Sequence, residues 1–321
     1  MKATAVAHPI QGLIKYHGLK DSTLRIPFHD SISVCIQALQ TITTVETNES
    51  FKKDFLTVNG ANLTGTNRKR VEVVLQKLKD ITGYSGHFKV VSENSLRKGK
   101  GLGFSASGFA ALGVATRAAL DSTIDYLTLS EAVRLGAGSA TRSLAGNFAI
   151  WYADKDGKSY AEQLSRAENV DLAMIIVPVP SKVKTDEAHA EVLSSSLFEA
   201  RLKSVGNMIK LMKKAIREGD IPTICRLAEE DSLNLHASTM TGKTHMLLWE
   251  PETILTIKSV IKMREEGLPA WYSIDTGPSV FVNTFQKYAG EVANRLKKLR
   301  LPDIIVSEVG GKPALTDNHL F

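Results

Sequence analysis

Apolar residues change their spacing along this chain, and the changes mark out its elements. Residues 31–38 (SISVCIQA) and 42–46 (ITTVE) are short β-favouring runs parted by a polar break, which predicts two strands. Val71, Val74, Leu75 and Leu78 recur at helical spacing and predict a helix over 67–81. Residues 86–92 (GHFKVVS) read as a further strand. The glycine and serine cluster KGKGLGFSASG at 98–108 runs into the Ala-rich segment 109–120, so the loop opens a helix. Small residues over 130–145 predict a second helix ending near Gly146. The turn signal Asp154-Lys155-Asp156-Gly157 between 147–153 and 158–164 predicts a hairpin. Residues 171–179 (DLAMIIVPV) read as a buried strand.

The second half is helix-heavy. Leu197, Val205, Met208, Ile209, Met212 and Ile216 fall on one face of 195–218, with Lys and Arg opposite. Helices are expected over 221–236, 250–266 and 286–299, with Pro251 suited to a first turn. Strands are expected at 270–275, 279–284 and 303–308. Strands and helices mix without strict βαβ alternation, so the fold class is α+β and not a doubly wound sheet. The polar, Pro-marked stretch PSKVKTDEA at 180–188 is the expected boundary, dividing the chain into domains 1–180 and 181–321. No repeat of 20–50 residues and no low-complexity segment is evident.

Composition narrows the class. The 321 residues are 43% hydrophobic and 23% charged, within the range of ordinary globular proteins, and the length suits two domains or one large one. Cys35 and Cys225 form no CxxC or Cys/His spacing, which argues against a zinc site and a disulfide framework and suits a reducing cytoplasm. No apolar run reaches the length of a membrane span, and His8, Pro9 and Gln11 interrupt the first residues, which read poorly as a signal peptide. The net charge of +6 suits a polyanionic small molecule as well as nucleic acid, but the basic residues are scattered and few aromatics stand among them.

Four segments carry candidate chemistry. Gly99, Gly101 and Gly103 allow close backbone approach before a helix start, which makes an anion site or simply a tight strand-to-helix turn. Neither the P-loop pattern nor the dinucleotide fingerprint is present. Lys15-Tyr16-His17-Gly18-Leu19-Lys20-Asp21 reads as a ligand mouth or an exposed turn. Arg142, within GAGSATRS at 136–143, stands among residues too small to block a carboxylate or phosphate; close helix packing is the alternative. Asp275, in SIDTGP, is a rigid carboxylate at a strand end or an Asx-type turn residue.

Taken in order, KYHGLKD, HDSISV, SEN, GLGFSASGFAAL, GAGSATRSLAGNFAIW, NLHASTMTG, SIDTGP and VGG resemble the mevalonate diphosphate decarboxylases of the GHMP kinase superfamily, over nearly the whole chain. The resemblance implies a ribosomal S5-like N-terminal domain, a ferredoxin-like C-terminal domain, an active site in the cleft between them, and a homodimer. It makes Asp275, Lys15 and Arg142 the expected catalytic residues: Asp275 at the tertiary C3 oxygen, Lys15 beside it, Arg142 on the substrate carboxylate. Tyr16, His17, Arg70, Ser105, Ser139 and Ser143 fall at expected substrate-binding positions. His236, in NLHASTMTG, lies near the family's pocket or is a packed core histidine. No metal site of the protein's own is expected.

Two departures refine the expectation. Leu19 stands where the family has a second Lys that meets the distal phosphate, which implies a monophosphate at C5, as in archaeal phosphomevalonate decarboxylases. Phe104 stands where the family has the first Ser of its loop, which helps hold magnesium and ATP phosphates. A phenyl ring cannot ligate magnesium. Lys98 and Lys100, with Gly101, Gly103, Phe104 and Ser105, thus form a phosphate loop whose use of nucleotide is in question. The expected activity is ATP-independent, cofactor-free elimination of phosphate and CO2 from mevalonate 3,5-bisphosphate, giving isopentenyl phosphate. The alternatives are a Mg-ATP-dependent phosphomevalonate or diphosphomevalonate decarboxylase, a small-molecule kinase, and a non-catalytic anion- or RNA-binding protein. The expected setting is cytoplasmic, in archaeal isoprenoid synthesis, with no nucleic acid or membrane partner.

Overall fold

The computed structural model describes residues 1–96, 102–165, 170–180, 185–301 and 303–321. It is an α+β structure built on three sheets. The first sheet runs, edge to edge, Ala314–Thr316, Lys2–Ala7, Thr41–Asn48, His87–Asn94, Phe55–Val58 and Ala61–Asn62. The second runs Ala161–Ser165, Phe148–Trp151, Ser31–Cys35 and Ile10–Ile14; the third runs Trp271–Ile274, Val280–Phe285, Leu172–Val177 and Ile305–Ser307. A short ribbon pairs Leu19–Asp21 with Ile26–Pro27.

Each sheet buries a face against helices that the periodicity marks. Helices Gly65–Thr82, Phe104–Ala119 and Tyr126–Gly136 cover the first sheet around Val45, Leu75, Leu78 and Phe88. The second and third sheets share a core with helices Phe198–Glu218 and Ile221–Met240, through Leu13, Ile32, Phe148, Met174, Met212 and Phe281. Helices Pro251–Glu265 and Ala289–Lys297 close the outer face of the third sheet. Burying each such side chain contributes about 1.5–3 kcal/mol, so the shared core holds the two halves in one register.

The hairpin forms as the Asp-Gly signal requires. Phe148–Trp151 and Ala161–Ser165 pair antiparallel, Asp154 accepts the Gly157 N–H, and Asp156 and Gly157 take positive φ. Pro251 opens its helix, as expected. Other expectations need correction. The helix predicted over 130–145 is two, Tyr126–Gly136 and Ala140–Ala145, because Ala137 is extended (φ −156°). The glycines there serve close packing: a Cβ on Gly136 would meet the Phe109 ring at 2.2 Å, and one on Gly138 the Trp151 ring at 2.4 Å. Leu197 precedes its helix and is 41% exposed, leaving the apolar face to begin at Phe198. Helix Phe104–Ala119 begins five residues earlier than its Ala-rich core suggests. The helix Thr185–Glu191 begins inside the polar stretch 180–188 expected as the domain boundary.

The strand Leu172–Val177 pairs on both sides with strands from the last 45 residues, Val280–Phe285 and Ile305–Ser307. From Ile305 onward the chain visits all three sheets. Ile305–Ser307 ends the third sheet, Gly310 bonds Cys35 and Asn147 of the second, and Ala314–Thr316 edges the first. No described helix is long and apolar enough to cross a membrane.

Candidate active site

The end strands of the second and third sheets meet edge to edge, and each ends on a charged residue. Lys15 follows Ile10–Ile14, and Asp275 follows Trp271–Ile274. Both pack on Gly12. A Cβ there would lie 2.6 Å from Lys15 Cγ and 2.9 Å from Asp275 Oδ1, so only glycine leaves room for the pair. The Gly12 N–H donates to both Asp275 oxygens, at 3.1 and 3.2 Å. Burial raises the Asp275 carboxyl, against the opposing pull of Lys15, the Gly12 N–H and Arg142.

Lys15 is 4% exposed. Its Nζ donates to Ser232 Oγ and Ser273 Oγ, both at 3.0 Å, and to the Ala228 carbonyl at 3.4 Å. Those hydroxyls send their own protons to Ala228 and Gly12 carbonyls, so they are free to accept. Burial lowers the Lys15 ammonium, while Asp231 and Asp275 hold it up. Asp231 Oδ2 lies 3.6 Å from Nζ.

Arg142 lies on the wholly buried helix Ala140–Ala145 and is 3% exposed. Its guanidinium stands 5.5 Å from the Tyr16 ring and 5.9 Å from the Trp151 ring. Nε and Nη1 are buried and have no hydrogen-bond partner among the described residues. A cation in this condition is costly unless an anion completes it. The Tyr16 ring stacks on His189 at 4.7 Å and meets Trp151 edge-on at 4.9 Å. His189 Nδ1 accepts the Gly18 N–H, so its proton sits on Nε2, a buried donor with no partner among the described residues. His17 is fully buried and donates from Nε2 to Thr239 Oγ1 at 2.8 Å, because that hydroxyl gives its proton to Leu235. Burial drives both histidines down, His189 to about 4.

The remaining expected positions scatter around this centre. Arg70 Nε donates to the Gly136 carbonyl at 2.7 Å, and its guanidinium faces Phe109. Arg70 also lines a cavity of about 240 Å³ with Phe104, Ser105, Asn67, Asn94 and Thr41. Gly103 (φ +72°) precedes the helix, close under the Ile10 carbonyl. Lys98, Lys100 and Gly101 lie outside the described residues. Ser139 precedes helix Ala140–Ala145 and makes no capping bond. Ser143 is fully buried and gives its proton to the His8 carbonyl at 2.6 Å, a packing contact. His236 is 1% exposed against Trp249, and burial holds it down at about 3. Among the described residues no group of His, Cys, Asp or Glu has the geometry to hold a metal ion.

Several partners of the site went unread in the sequence: Gly12, Ser232, Ser273, His189, Asp231 and Arg201. Two had a signal. Arg201 is a charge on an otherwise apolar buried stripe, and Asp231 is the one acid on the buried face of its helix.

Known proteins place this arrangement. Residues 7–161 match the diphosphomevalonate decarboxylase-like N-terminal domain, and 181–315 the mevalonate 5-diphosphate decarboxylase C-terminal domain. The phosphomevalonate decarboxylase of Haloferax volcanii is 38% identical, over 91% of each chain. The chain belongs to the mevalonate diphosphate decarboxylase family. The diphosphomevalonate decarboxylase of Candida albicans is 31% identical, over 88% of this chain and 84% of that protein. The crystal structure of the Staphylococcus aureus mevalonate diphosphate decarboxylase superposes with a TM-score of 0.91 at 29% identity, covering 98% of both chains. The Enterococcus faecalis decarboxylase superposes with a TM-score of 0.90 at 27% identity, covering 98% of this chain and 99% of that one. The two-domain family fold expected from the motifs is the one observed.

Proposed function

We propose that this chain removes phosphate and CO2 from a mevalonate carrying a single phosphate on C5. The observation that carries this reading is a buried Arg142 with free donors beside the Asp275–Lys15 pair. The C3–O bond breaks with its electron pair on the departing 3-phosphate. The C1–C2 pair then becomes the C2–C3 double bond as CO2 leaves, giving isopentenyl phosphate. Asp275 stabilises positive charge at C3, Arg142 orients the C1 carboxylate, and Lys15 stabilises the phosphate leaving C3. Preorganised charge of this kind is commonly the largest catalytic contribution. Tyr16, Arg70 and the His189 N–H would meet the C5 phosphate in this reading, the unpartnered His189 Nε2–H supporting it. Leu19 in place of a cation and the 38% identity to a phosphomevalonate decarboxylase support a monophosphate there.

The 3-phosphate arrives with the substrate, in this reading, and no nucleotide takes part. Phe104 supports it, since its ring leads the loop helix where the family carries an oxygen donor for magnesium. A second reading, phosphorylation of O3 by Mg-ATP, draws support from the cavity beside Phe104 and Ser105, whose apolar walls carry Asn67 and Asn94. In that case Asn and Ser groups would hold the nucleotide. Two incubations separate the readings: mevalonate 3,5-bisphosphate alone, and mevalonate 5-phosphate with Mg-ATP. CO2 release in the first is the expected result. Release only in the second overturns nucleotide independence. No release in either, nor from mevalonate 5-diphosphate with Mg-ATP, overturns the decarboxylase reading.

A further inference from the structure

Lys15 is held at both of its backbone groups by one buried ion pair. Its N–H donates to Asp231 Oδ2 at 2.8 Å, and its carbonyl accepts from Arg201 Nη2 at 2.7 Å. The same Nη2 donates to Asp231 Oδ1 at 2.9 Å, and Nη1 reaches Asn234 Oδ1 at 3.1 Å. Arg201 is 1% exposed and Asp231 0%. Helices Phe198–Glu218 and Ile221–Met240 each place a charge on their buried face, and the two charges meet at this point. Simple packing would be served by two apolar residues, at lower desolvation cost.

We infer that Asp231 is a positioning residue for Lys15 in the proposed decarboxylation, and that Arg201 sets how much of its charge the ammonium feels. The inference rests on the functional reading above. The carboxylate fixes the backbone from which the side chain departs and lies 3.6 Å from its Nζ. Arg201 takes the other oxygen and neutralises part of the same carboxylate. The charged and titratable groups facing Lys15 are Asp231 and His236 from one helix, Arg201 from the next, and Asp275 beyond the strand end. Removing Asp231 leaves Arg201 as an unbalanced cation beside Lys15. Removing Arg201 frees the whole carboxylate for it. The two losses therefore displace the Lys15 titration in opposite directions, which a role in packing alone does not do.

The test follows the Lys15 ammonium by ¹⁵Nζ resonance in lysine-labelled protein, together with the alkaline limb of the kcat/KM profile. Asp231→Asn is expected to move both to lower pH by about one unit or more, and Arg201→Met to move them to higher pH. Asp231→Asn is also expected to lower kcat/KM about 100-fold, and Asp231→Glu to restore the position of the limb. Where Asp231→Asn does not fold, Arg201→Met carries the sign alone. Shifts in the same direction, or no shift in a folded variant, overturn the inference. The resonance is read without turnover, so a wild-type protein that releases no CO2 defeats the functional reading while the titration still decides this one.

Discussion

Two buried cations, Lys15 and Arg142, act on Asp275, and the protein treats them differently. Lys15 has an acceptor for each ammonium proton and a carboxylate close by. Arg142 has aromatic faces around it and two buried nitrogens with nothing to bond. The Lys15 end is finished by protein alone and behaves as stored structure. The Arg142 end is left incomplete among the described residues, and in the proposed reaction a substrate carboxylate supplies what it lacks. The difference teaches which end sets geometry and which end recognises the substrate.

The comparison is broken most forcefully at Asp275, which both cations face. Asp275→Asn keeps the shape and the contact with Gly12 but removes the charge. We expect kcat to fall about 1,000-fold or more, with an unchanged circular dichroism spectrum. Near-normal CO2 release in the folded variant would remove Asp275 from the mechanism. Arg142→Met comes next. Substrate affinity is expected to fall about 100-fold, roughly 3 kcal/mol. The ligand-free protein, relieved of an unpartnered charge, is expected to gain about 1 kcal/mol in urea unfolding. A loss of stability instead would show that Arg142 is satisfied by the protein after all.

The smallest effect concerns the histidines beside Tyr16. His189 holds its proton less tightly when folded, near 4, than when unfolded, near 6.5. The unfolded chain therefore binds the extra proton below pH 6.5, and stability is lost as pH falls from there toward 4. Between pH 7 and 5 this costs about 2 kcal/mol, and His189→Phe is expected to remove that part of the acid sensitivity. Urea midpoints at the two pH values measure it. An equal loss in wild type and variant would mean that His189 contributes none of the acid sensitivity and is not held neutral by the fold.

The helices of the second half were legible because each hides one stripe. Met208, Met212 and Ile216 repeat at the required interval and are buried as expected. The strands Lys2–Ala7 and Ile10–Ile14 were not. All five residues of the second are buried, so no alternation marks it as a strand. The triplet Lys15, Arg142 and Asp275, expected to be catalytic, was legible through family motifs, and the structure gathers the three into one electrostatic neighbourhood. The groups that hold Lys15 come from residues 186 to 258 positions away, and local pattern cannot join such pairs. A charge on the buried face of a helix was the one visible trace of Asp231 and Arg201.

The path of the last residues has a mechanical consequence. In a dozen positions, from Ile305 to Thr316, one strand of chain is sewn successively into all three sheets. Such a seam resists any opening that swings the two halves apart as rigid jaws, because the thread would have to be unpicked first.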